Sequence, residues 1–270
     1  MKLVSVIMPT YNRVHCLKRS IDSVLCQTYS KIELIVVDDG STDDTDKLLA
    51  HYTDKRLKII RTEGNKGACH ARNIGIKNSL GEYIAFQDSD DVWLTHKLET
   101  LIYELIKHEA DVGFSSFIKI NENYQKASVY PKYNLGTNVL VNFDIIANTL
   151  LRTNLMSTQT IVLSRESLKI IKGFDEDLNR FQDWEFAIRI LKNFNVLWIS
   201  EPLVNVYIQN DSITKNFESG IFARIYIYKK HLQIFKKYPK AHFHFYKDLV
   251  IRAVFSKNLK LIYKSLTIIR

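Results

Sequence analysis

The chain reads as an α/β protein with a largely parallel sheet covered by helices. Three observations carry that reading. Strand and helix patterns alternate through four β-α units between Leu3 and His108, the rhythm of parallel strands joined by crossover helices. Those strands run out into polar turns, which collects the chemistry at the edge where open α/β sheets bind ligands. A chain of 270 residues with 46% hydrophobic composition can also bury a substantial core.

The elements follow in order. Leu3 to Met8 is a first strand; its apolar run is too short for a signal peptide and no small-residue cleavage site follows. Leu17 to Leu25 reads as a helix, Ile32 to Val37 as a strand, and Asp43 to His51 as a helix opening on the cap Ser41-Thr42. A short strand, Leu57 to Ile60, precedes a helix from Ala68 to Asn78. The strand Tyr83 to Phe86 is followed by an amphipathic helix, Leu94 to His108. Beyond it the pattern predicts a strand near Val112 to Ile120, a loop around Tyr130-Pro131, a helix near Phe143 to Leu151 and a strand near Gln159 to Leu163. A helix ends near Leu191, strands follow at Val196 to Ile199 and Leu203 to Ile208, and the last 50 residues look helical. The expected organisation is a main α/β body, residues 1–218, with a helical extension, 219–270.

The three cysteines, Cys16, Cys26 and Cys69, form no pair with metal spacing. An odd number without a secretory leader points to reduced thiols and a cytoplasmic home. No stretch of about 18 uncharged apolar residues occurs, so no membrane span is expected.

Asp88-Ser89-Asp90-Asp91 closes the fourth strand with three carboxylates in four positions. Hard oxygen ligands so spaced suit Mg²⁺ or Mn²⁺, which share their shell with water and phosphates; the plainer alternative is an acidic turn capping the next helix. At the second strand end, Asp38-Asp39-Gly40-Ser41 offers Asp39 to the donor edge of a base or ribose, unless it is simply a β-α turn. Tyr11 could stack on a base. Asn65-Lys66-Gly67 leads into a helix whose Arg72 presents a planar fork suited to phosphate or a uracil-like carbonyl, although such an arginine is often a surface ion pair. His70 has no second histidine at helical spacing and reads as structural or exposed.

The ordered set Val6-Ile7-Met8-Pro9-Thr10-Tyr11-Asn12, Val37-Asp38-Asp39-Gly40-Ser41-Thr42-Asp43, Asn65-Lys66-Gly67 with Ala71-Arg72-Asn73, and Asp88-Ser89-Asp90-Asp91 resembles the family 2 glycosyltransferases. The likeness is close from Val4 to Leu94 and resumes from Gly173 to Leu191. It implies a GT-A, Rossmann-like nucleotide-sugar-binding fold with a mixed, largely parallel central sheet. It further implies an inverting, metal-dependent transfer of a hexosyl or N-acetylhexosaminyl group from a nucleotide sugar, most commonly a UDP-sugar. By position, Pro9, Tyr11, Asn12, Asp39, Asn65 and Arg72 would hold the nucleoside side of the donor, with Ser89 beside them. Asp90, with Asp88, would hold Mn²⁺ or Mg²⁺, and Asp88 would also serve the sugar. The family's catalytic base comes from a Glu-Asp pair before a helix; Gln182-Asp183 stands in its place, which makes Asp183 the base, with a helix N-cap as its other reading. Relatives often carry a histidine or arginine near Tyr207 to Ile213, where this chain has Gln209-Asn210-Asp211-Ser212; Ser212 can still meet phosphate, while the missing histidine implies weaker metal binding.

The net charge of +9 is unevenly placed: residues 219–270 hold 12 Lys or Arg against one acid, Asp248, and the rest of the chain is near neutral. Lysines there alternate with Tyr, Phe, Ile and Leu. Helices so patterned can lie on an anionic membrane surface, which suits a peripheral enzyme on the inner face of the plasma membrane with a glycan or lipid-linked acceptor in surface-polysaccharide synthesis. A solvated basic face on helices packed against the catalytic body is the alternative. A nucleic-acid-binding protein is disfavoured by the acidic strand ends. A nucleotidyltransferase would show a glycine-rich basic loop where Pro9-Thr10-Tyr11-Asn12-Arg13 stands.

Overall fold

The structure, a computed structural model, describes residues 1–121, 126–133, 136–208 and 217–268. Its first half follows the alternating pattern closely: β1 (Val4–Thr10), α1 (Val14–Leu25), β2 (Ile32–Asp38), α2 (Thr45–Ala50), β3 (Leu57–Arg61), α3 (Ala68–Lys77) and β4 (Tyr83–Phe86). These four strands pair in parallel in the order β3-β2-β1-β4, so Thr10, Asp38, Arg61 and Phe86 all finish at one edge.

Past β4 the sheet becomes mixed. β5 (Val92–Trp93), α4 (Lys97–Lys107), β6 (Val112–Asn121), β7 (Lys126–Tyr130), β8 (Val139–Val141), α5 (Phe143–Leu150), β9 (Ile161–Ser164), α6 (Arg165–Ile171), α7 (Gln182–Asn193) and β10 (Val196–Tyr207) follow. β9 inserts antiparallel between β4 and β6, β10 lies parallel to β6, and β5, β7 and β8 pair antiparallel at the margin. The two strands read from Val196 to Ile208 are one continuous strand. Its register against β6 slips on either side of Pro202, where a residue without an amide hydrogen cannot continue the ladder and a bulge accommodates it.

Period-two alternation divides the core. Val4, Val6, Met8, Leu34 and Val36 face α1 and α4, while Ile7, Ile84 and Phe86 face the opposite layer around Phe174, Trp184 and Phe186. Ile35 and Val37 pack on Ala71 of α3. The tail forms α8 (Phe217–Lys230), α9 (Leu232–Lys237), α10 (Pro239–Phe255) and α11 (Leu259–Thr267). Its apolar residues Ile221, Tyr228, Phe235, Phe245 and Leu249 belong to the same buried cluster as Trp184 and Leu150. Glu185, fully buried on α7, pairs with Arg189, with Lys230 at 2.9 Å and with His231 at 3.1 Å. Burial would raise its carboxyl, but hydrogen bonds from His231 and Arg189 hold it down at about 2.

Lys97 begins α4 fully buried. Its Nζ lies 3.5 Å from the centre of the Trp93 ring and has no hydrogen-bond partner, so burial pushes its ammonium well below the usual lysine range. An amine charged in the unfolded chain and resisted in the folded one makes stability rise with pH towards the free lysine value of about 10.4. Lys97→Met should therefore raise stability at pH 7 by about 1 kcal/mol or more, which lifts the melting midpoint by roughly 2–4 °C per kcal/mol at this chain length. The gain over wild type should shrink as thermal melts are repeated towards pH 10.

Candidate active site

The four parallel strand ends build the floor of a cleft of about 460 Å³, within the range of small-molecule sites. Pro9, Tyr11, Asp39, Asn65, Arg72, Asp88, Ser89 and Asp90 line it together with Arg13 and Gly67. Tyr11 is 38% exposed and offers its ring to the opening. Asn12 lies outside the lining. Its Oδ1 accepts the amides of Thr42 and Asp43, and its own amide donates to Ser41 Oγ at 2.9 Å, so it fastens the end of β1 to the loop after β2. Ser41 and Thr42 are engaged there and do not cap α2; Asp43 Oδ1 accepts instead from the amide and hydroxyl of Thr45. Ser212 lies outside the described residues.

Asp39 is buried, with its acceptors well occupied. Oδ1 takes the Thr62 hydroxyl at 2.8 Å, and Oδ2 takes the amides of Lys66 at 3.0 Å and Gly67 at 2.6 Å. The loop before α3 is thereby drawn over the end of β2, and Gly67, at φ +97°, turns the chain into the helix. Further along α3, Arg72 reaches back to the fourth strand end and donates from Nη2 to Asp88 Oδ1 at 2.7 Å. His70 points the other way and pairs with Glu176 at 2.9 Å, a structural tie between α3 and the segment before α7.

The three carboxylates of the fourth strand end have separate environments. Asp88 is paired with Arg72 through one of its oxygens. Asp90 is partly buried, and burial together with the Asp88 charge raises its carboxyl, while Arg13 and Arg19 oppose the rise. Arg19 donates to the Asp90 carbonyl at 2.8 Å and stacks on Tyr207 at 4.0 Å. Asp91 is buried and caps nothing, because β5 intervenes before α4. Its Oδ1 accepts the Tyr207 amide at 2.9 Å and its Oδ2 the Gln159 side-chain amide at 2.6 Å. Ser20 and Gln87 both donate to its carbonyl at 2.7 Å.

Asp90 and the Oδ2 of Asp88 present hard oxygens with an excess of negative charge, a donor set that fits Mg²⁺ or Mn²⁺. Among the described residues no group of three or more His, Cys, Asp or Glu side chains converges on one point. A cation here would thus complete its shell with phosphate oxygens and water, as these ions commonly do.

Asp183 stands at the start of α7, in a smaller recess of about 100 Å³ formed with Phe117, Tyr130 and Asn154. Its Oδ1 accepts its neighbour's Trp184 amide at 2.9 Å and its Oδ2 the Asn154 side-chain amide at 2.7 Å. Loss of solvent pushes its carboxyl up to about 6, with a further contribution from the charge of Asp88. A carboxylate so placed is poised to take a proton near neutral pH. Arg13, Asn154 and Gln159 are members of this constellation that sequence reasoning left out. Arg13 had a signal, two positions past Tyr11 at a strand end; the other two act through long-range contacts with no local signature.

Residues 5–170 match the family described as Glycosyl transferase family 2. The chain is similar to the Escherichia coli UDP-Glc:alpha-D-GlcNAc-diphosphoundecaprenol beta-1,3-glucosyltransferase WfgD, 36% identical over 72% of each chain. It is 33% identical to WfaP of the same organism, described in the same terms, over 63% of this chain and 64% of that one. The crystal structure of S. aureus TarS 1-349 in complex with UDP-GlcNAc shares the fold at TM-score 0.74 and 24% identity, covering 90% of this chain and 73% of that one. Against the longer S. aureus TarS chain the protein spans 40% of the length.

Gly40 sits beneath the cleft at φ +77°, and a Cβ there would lie 2.8 Å from the Gly64 backbone. Gly40→Ala should therefore cost about 1–3 kcal/mol of stability, seen as a lower urea midpoint, and loosen the loop that Asp39 holds.

Proposed function

The chain belongs to glycosyl transferase family 2, and we propose that it is an inverting glycosyltransferase that moves a sugar from a UDP-sugar to a lipid-linked or glycan acceptor in bacterial surface-polysaccharide synthesis. One observation carries the reading: Tyr11, Asp39, Asn65 and Arg72 line one cleft with Asp88 and Asp90 at one end of the sheet, while a separate carboxyl, Asp183, is raised to about 6. Likeness to WfgD, a glucosyltransferase named for UDP-Glc and a GlcNAc-diphosphoundecaprenol acceptor, supports a UDP-sugar donor, a lipid-linked acceptor and, of the hexosyl and N-acetylhexosaminyl alternatives, a hexosyl group.

In this reading residues 1–218 form the catalytic body. Tyr11 stacks on the base, while Asp39 and Asn65 fix the nucleoside. Arg72 meets phosphate or the base and keeps Asp88 in place. Asp90 and Asp88 would hold Mn²⁺ or Mg²⁺, which when bound stabilises the charge on the departing diphosphate. The acceptor hydroxyl attacks the anomeric carbon from the face opposite the diphosphate as Asp183 takes its proton; the bond to the diphosphate breaks and its electron pair leaves with UDP. The Asn154 amide holds the Asp183 carboxylate in line. Exposed Phe243, Phe255, Leu259 and Tyr263, set among the lysines of α10 and α11, support contact of residues 219–270 with an anionic membrane surface.

Asp183→Asn should lower kcat by at least on the order of 10²-fold while UDP binding, followed by calorimetry, stays within about twofold. Equal transfer rates in mutant and wild type would overturn the assignment. Because Asp183 acts unprotonated, kcat/KM should fall as pH drops through about 6 and level off above it. A screen of nucleotide sugars for transfer in Mn²⁺, with EDTA as control, should find one donor whose turnover stops on chelation and returns with added metal. Turnover indifferent to EDTA would remove the cation from the reaction.

A further inference from the structure

A second cavity, about 580 Å³, lies between the end of α5, α8 and α10, and it shares no lining residue with the donor cleft. Arg152, Arg224, Lys247 and Arg252 line it against a single carboxylate, Asp248. That carboxylate is already engaged: Arg252 donates to its Oδ2 at 2.7 Å, and Arg224 Nη1 approaches the same oxygen at 3.4 Å. The Arg224 side chain is 12% exposed, and its Nη1 has no hydrogen-bond partner. Its guanidinium lies over Trp184 at 5.0 Å and Phe181 at 5.2 Å, which fixes its plane beneath the cavity. Burial, and then the like charges of Arg252 and Arg180, depress Arg224 to about 10 despite Asp248.

A desolvated guanidinium short of acceptors, among further cations, has an unmet electrostatic demand that packing alone does not answer. Planar forks in convergent positions match the oxygens of a phosphate better than they match a monovalent ion. We propose that this cavity is a phosphate-binding site, built for a phosphate or diphosphate group borne on a lipid. Its wall is continuous with the exposed face of α10, where Lys247 and Ile251 line the cavity and Phe243 and Phe255 stand in solvent. Its other wall ends at Thr153, next to the Asn154 that donates to Asp183. The assignment rests on the function proposed above, in which a group held here sits between the membrane-facing surface and the helix start that carries the base.

Calorimetric titration of the full chain with sodium pyrophosphate, in EDTA at low salt, should show binding that survives Asp90→Asn. In Arg152→Gln/Lys247→Gln, at two exposed positions that leave the core intact, the affinity should fall on the order of tenfold. UDP binding in Mn²⁺ should be unchanged in that double variant, so the donor cleft and this site are read separately. Pelleting with phosphatidylglycerol and with phosphatidylcholine vesicles identifies the source. Phosphatidylglycerol binding lost in the double variant places a membrane headgroup in the site, and pyrophosphate binding lost with unchanged pelleting places the diphosphate of an acceptor there; both support it. Equal pyrophosphate affinity in wild type and double variant, or binding abolished by Asp90→Asn alone, overturns it.

Discussion

The buried carboxylate of Asp91 is the contact on which the cleft at the sheet edge rests. It joins the fourth strand end to β10 through the Tyr207 amide and to the entrance of β9 through Gln159, while its carbonyl takes Ser20 from α1. Those partners come from three different parts of the chain, so the loop that carries Asp88 and Asp90 is fixed from below and from both sides. Burying one ionisable group is expensive, and burial together with the Asp90 and Asp88 charges drives the Asp91 carboxyl well above its ordinary value. The arrangement is sustained because each oxygen has a donor at hydrogen-bond distance.

Above that anchor, charge is divided by position. Arg72 takes one oxygen of Asp88, and Arg13 and Arg19 bear on Asp90, so the repulsion among the three carboxylates is partly offset within the loop. Asp183 is kept apart, on the first turn of α7, with an amide donor at each oxygen. The two acidic groups are thus held in separate surroundings, one beside arginines at the sheet edge and the other between amide donors at a helix start.

The parallel half of the fold was legible because its information is local: each strand end is followed within a few residues by the side chains it presents. Tyr11, Asp39, Arg72 and Asp90 could be placed at one edge from order alone. The mixed half was not legible in the same way. β9 runs opposite to its neighbours, so it is the turn leading into the strand, at Gln159, that reaches the site edge, and strand-end reasoning passes over it. The alternative of an acidic turn capping the next helix fails at Asp91 because β5 separates it from α4, and a two-residue strand is too short to leave a periodic signal. β10 reads as two strands because Pro202 interrupts an apolar run that the sheet carries through with a register slip. Asn154 meets Asp183 across 29 residues of sequence, and no pattern in either segment announces it.

The hydrogen bond from Tyr207 to Asp91 closes a loop of 116 residues. Contacts of that span are costly in chain entropy and form late relative to neighbouring strand pairs. During synthesis the β3-β2-β1-β4 half can assemble as soon as β4 has emerged, yet the carboxylate cluster it carries lacks its lateral support until β10 arrives. The growing chain therefore holds an unfinished acidic loop while the 116 residues up to Tyr207 are made, and the cleft has its full support only once β10 is in place.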